Sequence, residues 1–173
     1  MANANNIVPF IKKWEGGFGY HPADPGGATN SGITIGTYTY WRKLQGKPKP
    51  TVNDLKNMSD EEWFQIFKTI FADPWKVDSI DNQSIANVCI DFGWASGVQT
   101  AIKKVQKTLG CVADGIVGPK TLAALNAADK KKIFDTLIQM RLKYCDAIVA
   151  KRPSSKVFLK GWKRRILDIK WED

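Results

Sequence analysis

The spacing of apolar positions is helical along almost the whole chain. Between Ile7 and Trp14, apolar side chains recur at three- and four-residue steps behind Asn5 and Asn6, which favour a helix N-terminus. No run of four or more residues alternates as a half-buried strand does. The pattern therefore predicts an all-α or nearly all-α protein. The same helical period returns in later stretches: 34–46, 59–73, 85–97, 98–109, 119–125, 129–152 and 158–166.

Residues 18–33 interrupt this period. They are rich in Gly, Pro, Asp, Asn and Ser, which favour turns. We expect a long ordered loop or a short β-hairpin here, and any β structure should be confined to this stretch. The helix before it should end at Gly16 and Gly17, where a left-handed backbone carries no steric cost.

Length and composition describe an ordinary globular protein. The chain has 173 residues and is 43% hydrophobic, enough for one domain, or for one domain with a small appended lobe. Its three cysteines are scattered and it has a single histidine, so we expect neither a disulfide framework nor a metal site, and no cofactor. The cysteines are interpreted as small apolar core residues.

The chain has no apolar stretch near the roughly 20 residues that span a bilayer. Its first residues, MANANNIVPF, lack the basic and apolar regions of a secretory signal. We therefore expect a monomer that is made in the cytoplasm without a signal peptide and is not stably inserted in a membrane. If it acts outside the cytoplasm, a holin-like pore or a secretion system would have to release it.

The net charge of +9 is concentrated in one part of the chain. Residues 1–97 hold 9 basic and 10 acidic residues, whereas residues 98–173 hold 17 basic and 7 acidic. Such asymmetry is typical of a protein that docks on an anionic partner, such as nucleic acid, a membrane surface or a cell-wall polymer. The alternative is a solvated basic face that only confers solubility.

One carboxyl group stands at the predicted end of the first helix. Glu15 lies on the flank of the apolar stripe, between Trp14 and Phe18. The negative end of the helix dipole and the apolar surroundings both favour its protonated form. A neutral Glu can protonate a glycosidic oxygen as a general acid. The alternative is an exposed Glu at a fraying helix end.

A second carboxyl group follows in the loop. If the loop folds back over the helix end, Asp24 comes near Glu15, and glycines at 26, 27 and 32 would let the backbone approach a ligand closely. Paired carboxyl groups on either side of a sugar bond are the minimum requirement for glycoside hydrolysis. The alternative for Asp24-Pro25-Gly26 is a plain turn.

These motifs resemble a known family. The run E-G-G from Glu15, followed by D-P-G-G-A-T-N-S-G-I-T from Asp24, resembles the signature of glycoside hydrolase family 108, the N-acetylmuramidase (lysozyme) family, some of whose members are labelled secretion activators. The resemblance implies a lysozyme-like, mainly α fold with Glu15 as the catalytic acid. It extends to DFGWASG from Asp91, and then to VQKTLG, DGIVGPKTL and the GW pair with Arg at 161–165, which look like a peptidoglycan-binding region.

From the resemblance we expect a catalytic lysozyme-like lobe over residues 1–97 and a basic helical lobe over residues 98–173, packed as one compact unit. The spacing of Glu15 and Asp24 also resembles the Glu–Asp–Thr arrangement of phage-type lysozymes. The Thr position is Asn30 here, with Thr29 one place earlier. Many relatives have Asn where this chain has Ala95, so Asp91 or Ser96 would have to take its role.

The candidate site residues divide into two groups. Glu15 and Asp24 are the predicted catalytic pair. Asp91 could line the cleft or equally cap a helix break. Exposed aromatic rings could stack on sugars, although most of the seven Trp residues should belong to the core. The candidates for substrate binding are Tyr20, Thr29, Asn30, Thr34, Asp91 and Trp94, with Tyr38 and Trp41 as further stacking candidates.

The leading hypothesis is a hydrolase that cleaves peptidoglycan glycan strands between N-acetylmuramic acid and N-acetylglucosamine, in the cell wall or periplasm after release. The runner-up is a non-catalytic peptidoglycan-binding module, in which the DGIVGPKT stretch and the basic face carry the function. A nucleic-acid binder rests only on the basic half, since the chain has no readable nucleic-acid-binding motif. We therefore expect no nucleic-acid partner.

Overall fold

The computed structural model describes residues 1–20, 26–127 and 129–172, and this part of the chain is mainly helical. Helices follow one another along the chain, with short 3-10 and π-helical segments between some of them. The mainly α fold predicted from the apolar period is confirmed. The α-helices are α1 (Val8–Trp14), α2 (Ile35–Leu44), α3 (Val52–Lys56), α4 (Asp60–Ile66), α5 (Gln83–Ser96), α6 (Val98–Thr108), α7 (Pro119–Ala127), α8 (Lys130–Lys151) and α9 (Lys156–Asp168).

The chain forms two compact units. The first, here called the sheet unit, is Val8–Ile70, and the second, here called the bundle unit, is Met1–Ile7 together with Phe71–Asp173. The sheet unit holds α1 to α4, and the bundle unit holds α5 to α9. The predicted division into lobes at residues 97 and 98 stays a prediction.

The sheet unit contains a small antiparallel sheet in the order β1 (Phe18–Gly19), β2 (Thr29–Asn30), β3 (Ile33–Thr34). Ser31 and Gly32 connect β2 to β3, and both have positive φ, as the central residues of a type I′ hairpin turn do. A short β element was expected within residues 18–33, and the sheet extends one residue beyond that stretch.

The helices around the sheet begin at side-chain caps. The Thr34 hydroxyl accepts a hydrogen bond from the backbone N–H of Thr37 at 3.1 Å, so the last residue of β3 is also the N-cap of α2. Ser59 caps α4 in the same way through the N–H of Glu62. Helix α1 ends at Trp14, and neither Gly16 nor Gly17 has a positive φ. The helix therefore ends just before the glycines, close to where it was predicted to end, but neither of them takes the left-handed conformation.

Helix α5 is the central element of the bundle unit. The apolar stripe predicted for it is buried, and so are residues on its other faces, including Ser84, Ala86 and Asp91. A helix buried on all sides lies inside a core rather than on its surface. Helix α5 packs against α6 and α8, and α8 packs against α9. Gly97, with φ 90°, joins α5 to α6.

The cysteines are free. Cys89 and Cys145 are buried, as expected for core residues, whereas Cys111 is partly exposed. Burial raises the pKa of the Cys89 thiol to about 12, which keeps it protonated and unreactive. Within residues 1–20, 26–127 and 129–172, no helix is both long and apolar enough to cross a membrane.

Candidate active site

Glu15 lies at the junction between α1 and the sheet. Its backbone N–H donates to the carbonyl of Ile11 at 2.9 Å, which is the last helical hydrogen bond of α1, and the residue is half-buried. Two residues later, the carbonyl of Gly17 accepts from the N–H of Ser31 at 3.2 Å. Because two Cα–Cα steps span at most about 8 Å, this backbone places Glu15 beside the sheet.

The register of the sheet separates the polar candidates onto two faces. Gly19, Thr29 and Thr34 are cross-strand partners and share one face. Phe18, Asn30 and Ile33 share the opposite face, so the side chains of Thr29 and Asn30 point in opposite directions. Position 19 is a glycine, and β1 therefore places no side chain beside the Thr29 hydroxyl.

Asn30 ties the sheet to α3. Its amide nitrogen donates to the carbonyl of Leu55 at 2.9 Å and to that of Lys56 at 3.3 Å. These are the last two carbonyls of α3, and that of Leu55 also accepts from the backbone N–H of Met58 at 3.2 Å. Ser31 donates through its hydroxyl to the remaining side-chain oxygen of Asn30. The side chain of Asn30 therefore satisfies the end of a helix.

Of the predicted aromatic contacts, one is exposed beside the sheet and two are buried in the core. Tyr20 directly follows β1 and is 53% exposed. Asp24 lies outside the described residues, so its catalytic role stays a prediction. Tyr38 and Trp41 are buried in the core of the sheet unit. Their burial agrees with the alternative that these aromatic residues belong to the core, and not with stacking on sugars.

Asp91 and Trp94 belong to the bundle unit. Asp91 is fully buried in α5, and both of its oxygens are occupied: Arg141 donates to one at 2.9 Å and Arg165 to the other at 2.8 Å. This geometry gives Asp91 an ion-pair role in the core, and we do not include it among the substrate contacts. Trp94 is half-buried and packs against Phe71, with ring centroids 4.6 Å apart.

A partly buried polar cluster in the sheet unit was not predicted from the sequence. The Tyr38 hydroxyl donates to the Glu62 carboxylate and accepts from the Arg42 guanidinium at 2.5 Å. Arg42 also lies 3.4 Å from the other Glu62 oxygen. Burial, together with the hydrogen bond to Glu62, raises the pKa of Tyr38, and the hydrogen bond that Arg42 donates to Tyr38 raises the pKa of Arg42. The available signal was the four-residue spacing of Tyr38 and Arg42 on α2.

The segment that carries Glu15 and the sheet matches a known family model. Residues 8–97 match the model described as Glycosyl hydrolase 108, which is more than half of the chain. The chain belongs to the glycosyl hydrolase 108 family. Residues 100–167 of this family 108 chain match a second model, described as a Predicted Peptidoglycan domain. The two matches support a glycoside hydrolase that acts on peptidoglycan.

Solved structures agree with this assignment. The family 108 chain is similar to the structure of SagA from Brucella abortus, with 30% identity and a TM-score of 0.82. The similarity covers 96% of this chain and 90% of SagA. Comparison with curated proteins finds no match.

Proposed function

We propose that this family 108 protein hydrolyses the bond between N-acetylmuramic acid and N-acetylglucosamine in peptidoglycan, with Glu15 as the general acid. The observation that carries the proposal is the position of Glu15. It is a half-buried carboxyl group at the last hydrogen bond of α1, and it lies directly before the sheet in the segment that matches the glycosyl hydrolase model.

Glu15 would protonate the glycosidic oxygen as the sugar develops oxocarbenium character. Its backbone is held by the bond to Ile11, which restricts where the carboxyl group can lie. On the polar face of the sheet, Thr29 would offer its hydroxyl group to the substrate, whereas the Thr34 hydroxyl, which donates to Thr37 and caps α2, would contribute only its remaining lone pair. Tyr20 would offer an exposed ring. Each of these contacts is part of the proposal.

Asp24 would supply the second carboxyl group. In an inverting enzyme it would activate a water molecule on the far face of the sugar, and the two carboxyl groups would lie about 6.5–9.5 Å apart. In a retaining enzyme a nucleophile would lie only about 5 Å from Glu15. We keep both stereochemical outcomes within the proposal, because either one uses Glu15 as the proton donor.

The segment of residues 98–173, with 17 basic and 7 acidic residues, would hold the anionic wall polymer. The alternative function, wall binding without hydrolysis, rests on the match of residues 100–167 to the peptidoglycan model. In both cases, attraction between exposed charges should weaken as the ionic strength rises above about 0.15 M.

Mass spectrometry of the fragments released from purified sacculi separates the two functions. A muramidase leaves N-acetylmuramic acid at each new reducing end, so borohydride reduction should convert this sugar alone. New N-acetylglucosamine reducing ends would assign a different bond. If the protein pellets with the sacculi but no sugar fragments are released, the result would favour the non-catalytic module.

A further inference from the structure

The bundle unit contains a cavity that the proposed hydrolysis does not use. It has a volume of about 330 Å³ and lies between residues of α5, α8 and α9. This volume is at the lower end of the range for small-ligand pockets. Its polar and aromatic lining includes Arg141, Arg152, Arg165, Ser96, Tyr144 and Trp162.

The wall of the cavity is strongly cationic. Among the described residues that line it, three are arginines and none is acidic. Asp91, behind the wall, pairs with Arg141 and Arg165 and so neutralises one of these three charges. Arg141 is only 3% exposed, and its Nε is buried without a hydrogen-bond partner. An anion in the cavity would meet guanidinium groups that Asp91 already holds in place.

Apolar and aromatic groups form the rest of the wall. Phe92, Ile148 and Ile166 line it, and Tyr144 is held edge-on to Phe92, with ring centroids 5.7 Å apart. Trp162 stacks on Phe158 at a centroid distance of 5.9 Å. This combination suits a ligand with a single anionic end and a small apolar body, rather than a long uniformly charged polymer.

We propose that this cavity binds the C-terminal carboxylate of a short peptide that ends in a small residue. Planar guanidinium groups match a carboxylate with two parallel hydrogen bonds, and they do so better than an ammonium group. The assignment of this peptide to the stem peptides of peptidoglycan rests on the proposed function. On that basis, the cavity anchors the wall through its peptides while Glu15 acts on its glycan.

The test is a titration of the full chain with D-alanyl-D-alanine. Binding is monitored by NMR from the indole N–H signal of Trp162. The free acid should shift this signal in a saturable way, and the C-terminal amide of the same dipeptide should bind about tenfold more weakly or worse, because it lacks the carboxylate. Equal binding of acid and amide, or no binding of the acid, would overturn the proposal.

Two neighbouring substitutions provide a matched comparison. Arg152 lines the cavity and is exposed, and Lys151 beside it is also exposed but does not line it. Arg152→Gln should weaken binding of the acid about tenfold, whereas Lys151→Gln, with the same change of net charge, should leave it unchanged. Equal effects of the two substitutions would show that only overall charge matters, and would contradict the proposal.

A steric pair checks the location. Ala95 lines the cavity and is exposed, so Ala95→Phe should fill the cavity and prevent binding, while Ala150→Phe on the surface of α8 should not. The titration involves no bond cleavage, so it can fail while sugar fragments are still released from sacculi, and then only this inference is lost. Dipeptide binding without sugar release would instead contradict the proposed hydrolysis.

Discussion

Arg141 donates a hydrogen bond to the buried carboxylate of Asp91 across 2.9 Å, and the two residues come from different family segments. Asp91 lies in the segment that matches the glycosyl hydrolase model, and Arg141 lies in the segment that matches the peptidoglycan model. Arg165, also from the second segment, binds the other oxygen. The end of the hydrolase segment and the peptidoglycan segment therefore share one core in the bundle unit.

We predict that Asp91→Asn destabilises the protein strongly. The substitution leaves two guanidinium groups facing each other in the core without a counter-charge, which should cost about 3–5 kcal/mol. Chemical denaturation of the purified variant measures this loss. Asp146→Asn is the control, because Asp146 pairs with Lys163 at 2.8 Å on the surface and should cost less than about 1 kcal/mol. Similar losses for the two variants would contradict the core role of Asp91.

We predict that Asn30→Ala lowers the free energy of unfolding, whatever its effect on substrate affinity. It removes a donor to the carbonyls of Leu55 and Lys56, and because the Leu55 carbonyl keeps the N–H of Met58, this should cost about 0.5–1.5 kcal/mol. The unfolding midpoint in urea measures the effect. Asn53→Ala, on the exposed surface of α3, is the matched control. If the Asn30 variant keeps the stability of the control and only its KM rises, Asn30 acts on substrate instead.

We predict that Asp114 contributes to the loss of stability in acid. The backbone N–H of Ile116 and the side chain of Gln106 lower the pKa of Asp114. Because this pKa is lower in the folded state, the contribution is present above the ordinary value of 3.8 and is lost as the pH falls through the lowered value.

Thermal unfolding between about pH 5 and pH 2 tests this acid dependence. The midpoint of Asp114→Asn, which cannot titrate at this position, should fall less steeply with acid than that of the wild type. Asp78→Asn makes the same change at another exposed carboxyl group, and it should follow the wild-type curve. Identical slopes for all three proteins would contradict the assignment.

Local signals in the sequence predicted the longer helices, because each one is encoded by neighbours, but they did not predict the short helix α3. The apolar period placed α5, α6 and α8, and Pro119 begins α7 as expected. The turn-forming composition of residues 18–33 predicted an ordered loop or a short hairpin there, and the small sheet lies in this stretch and one residue beyond it. These features depend on residues only a few positions apart, which a single sequence displays directly.

Tertiary partners could not be predicted in this way. Ser59 and Glu62 have the spacing of a capping box, but only the Ser59 half forms, because the Glu62 carboxylate accepts from Tyr38 instead of turning back to the helix end. A complete capping box occurs at Thr51 and Asp54, at the start of the short helix α3. Local spacing cannot decide between a backbone partner nearby and a side chain 24 positions away.

The same limit applies to the candidate site. The sequence around Asp91 does not tell whether this residue lines a cleft or forms a buried ion pair, because its partners lie 50 and 74 positions away. Thr29 and Asn30 look equivalent as neighbours, but the register of β2 turns them to opposite faces. Position within the motif made Glu15 the candidate acid, and that role stays a prediction, whereas roles that depend on packing required the fold.

Glu15→Gln provides the most direct test of the account. The amide keeps the shape of the side chain but cannot protonate a leaving oxygen. The rate at which a sacculus suspension loses turbidity should therefore fall by at least about a hundredfold. Glu61→Gln, the same change at an exposed position of α4, should keep wild-type activity, and both variants should still pellet with sacculi. Wild-type lysis by Glu15→Gln would contradict the assignment of Glu15 as the proton donor.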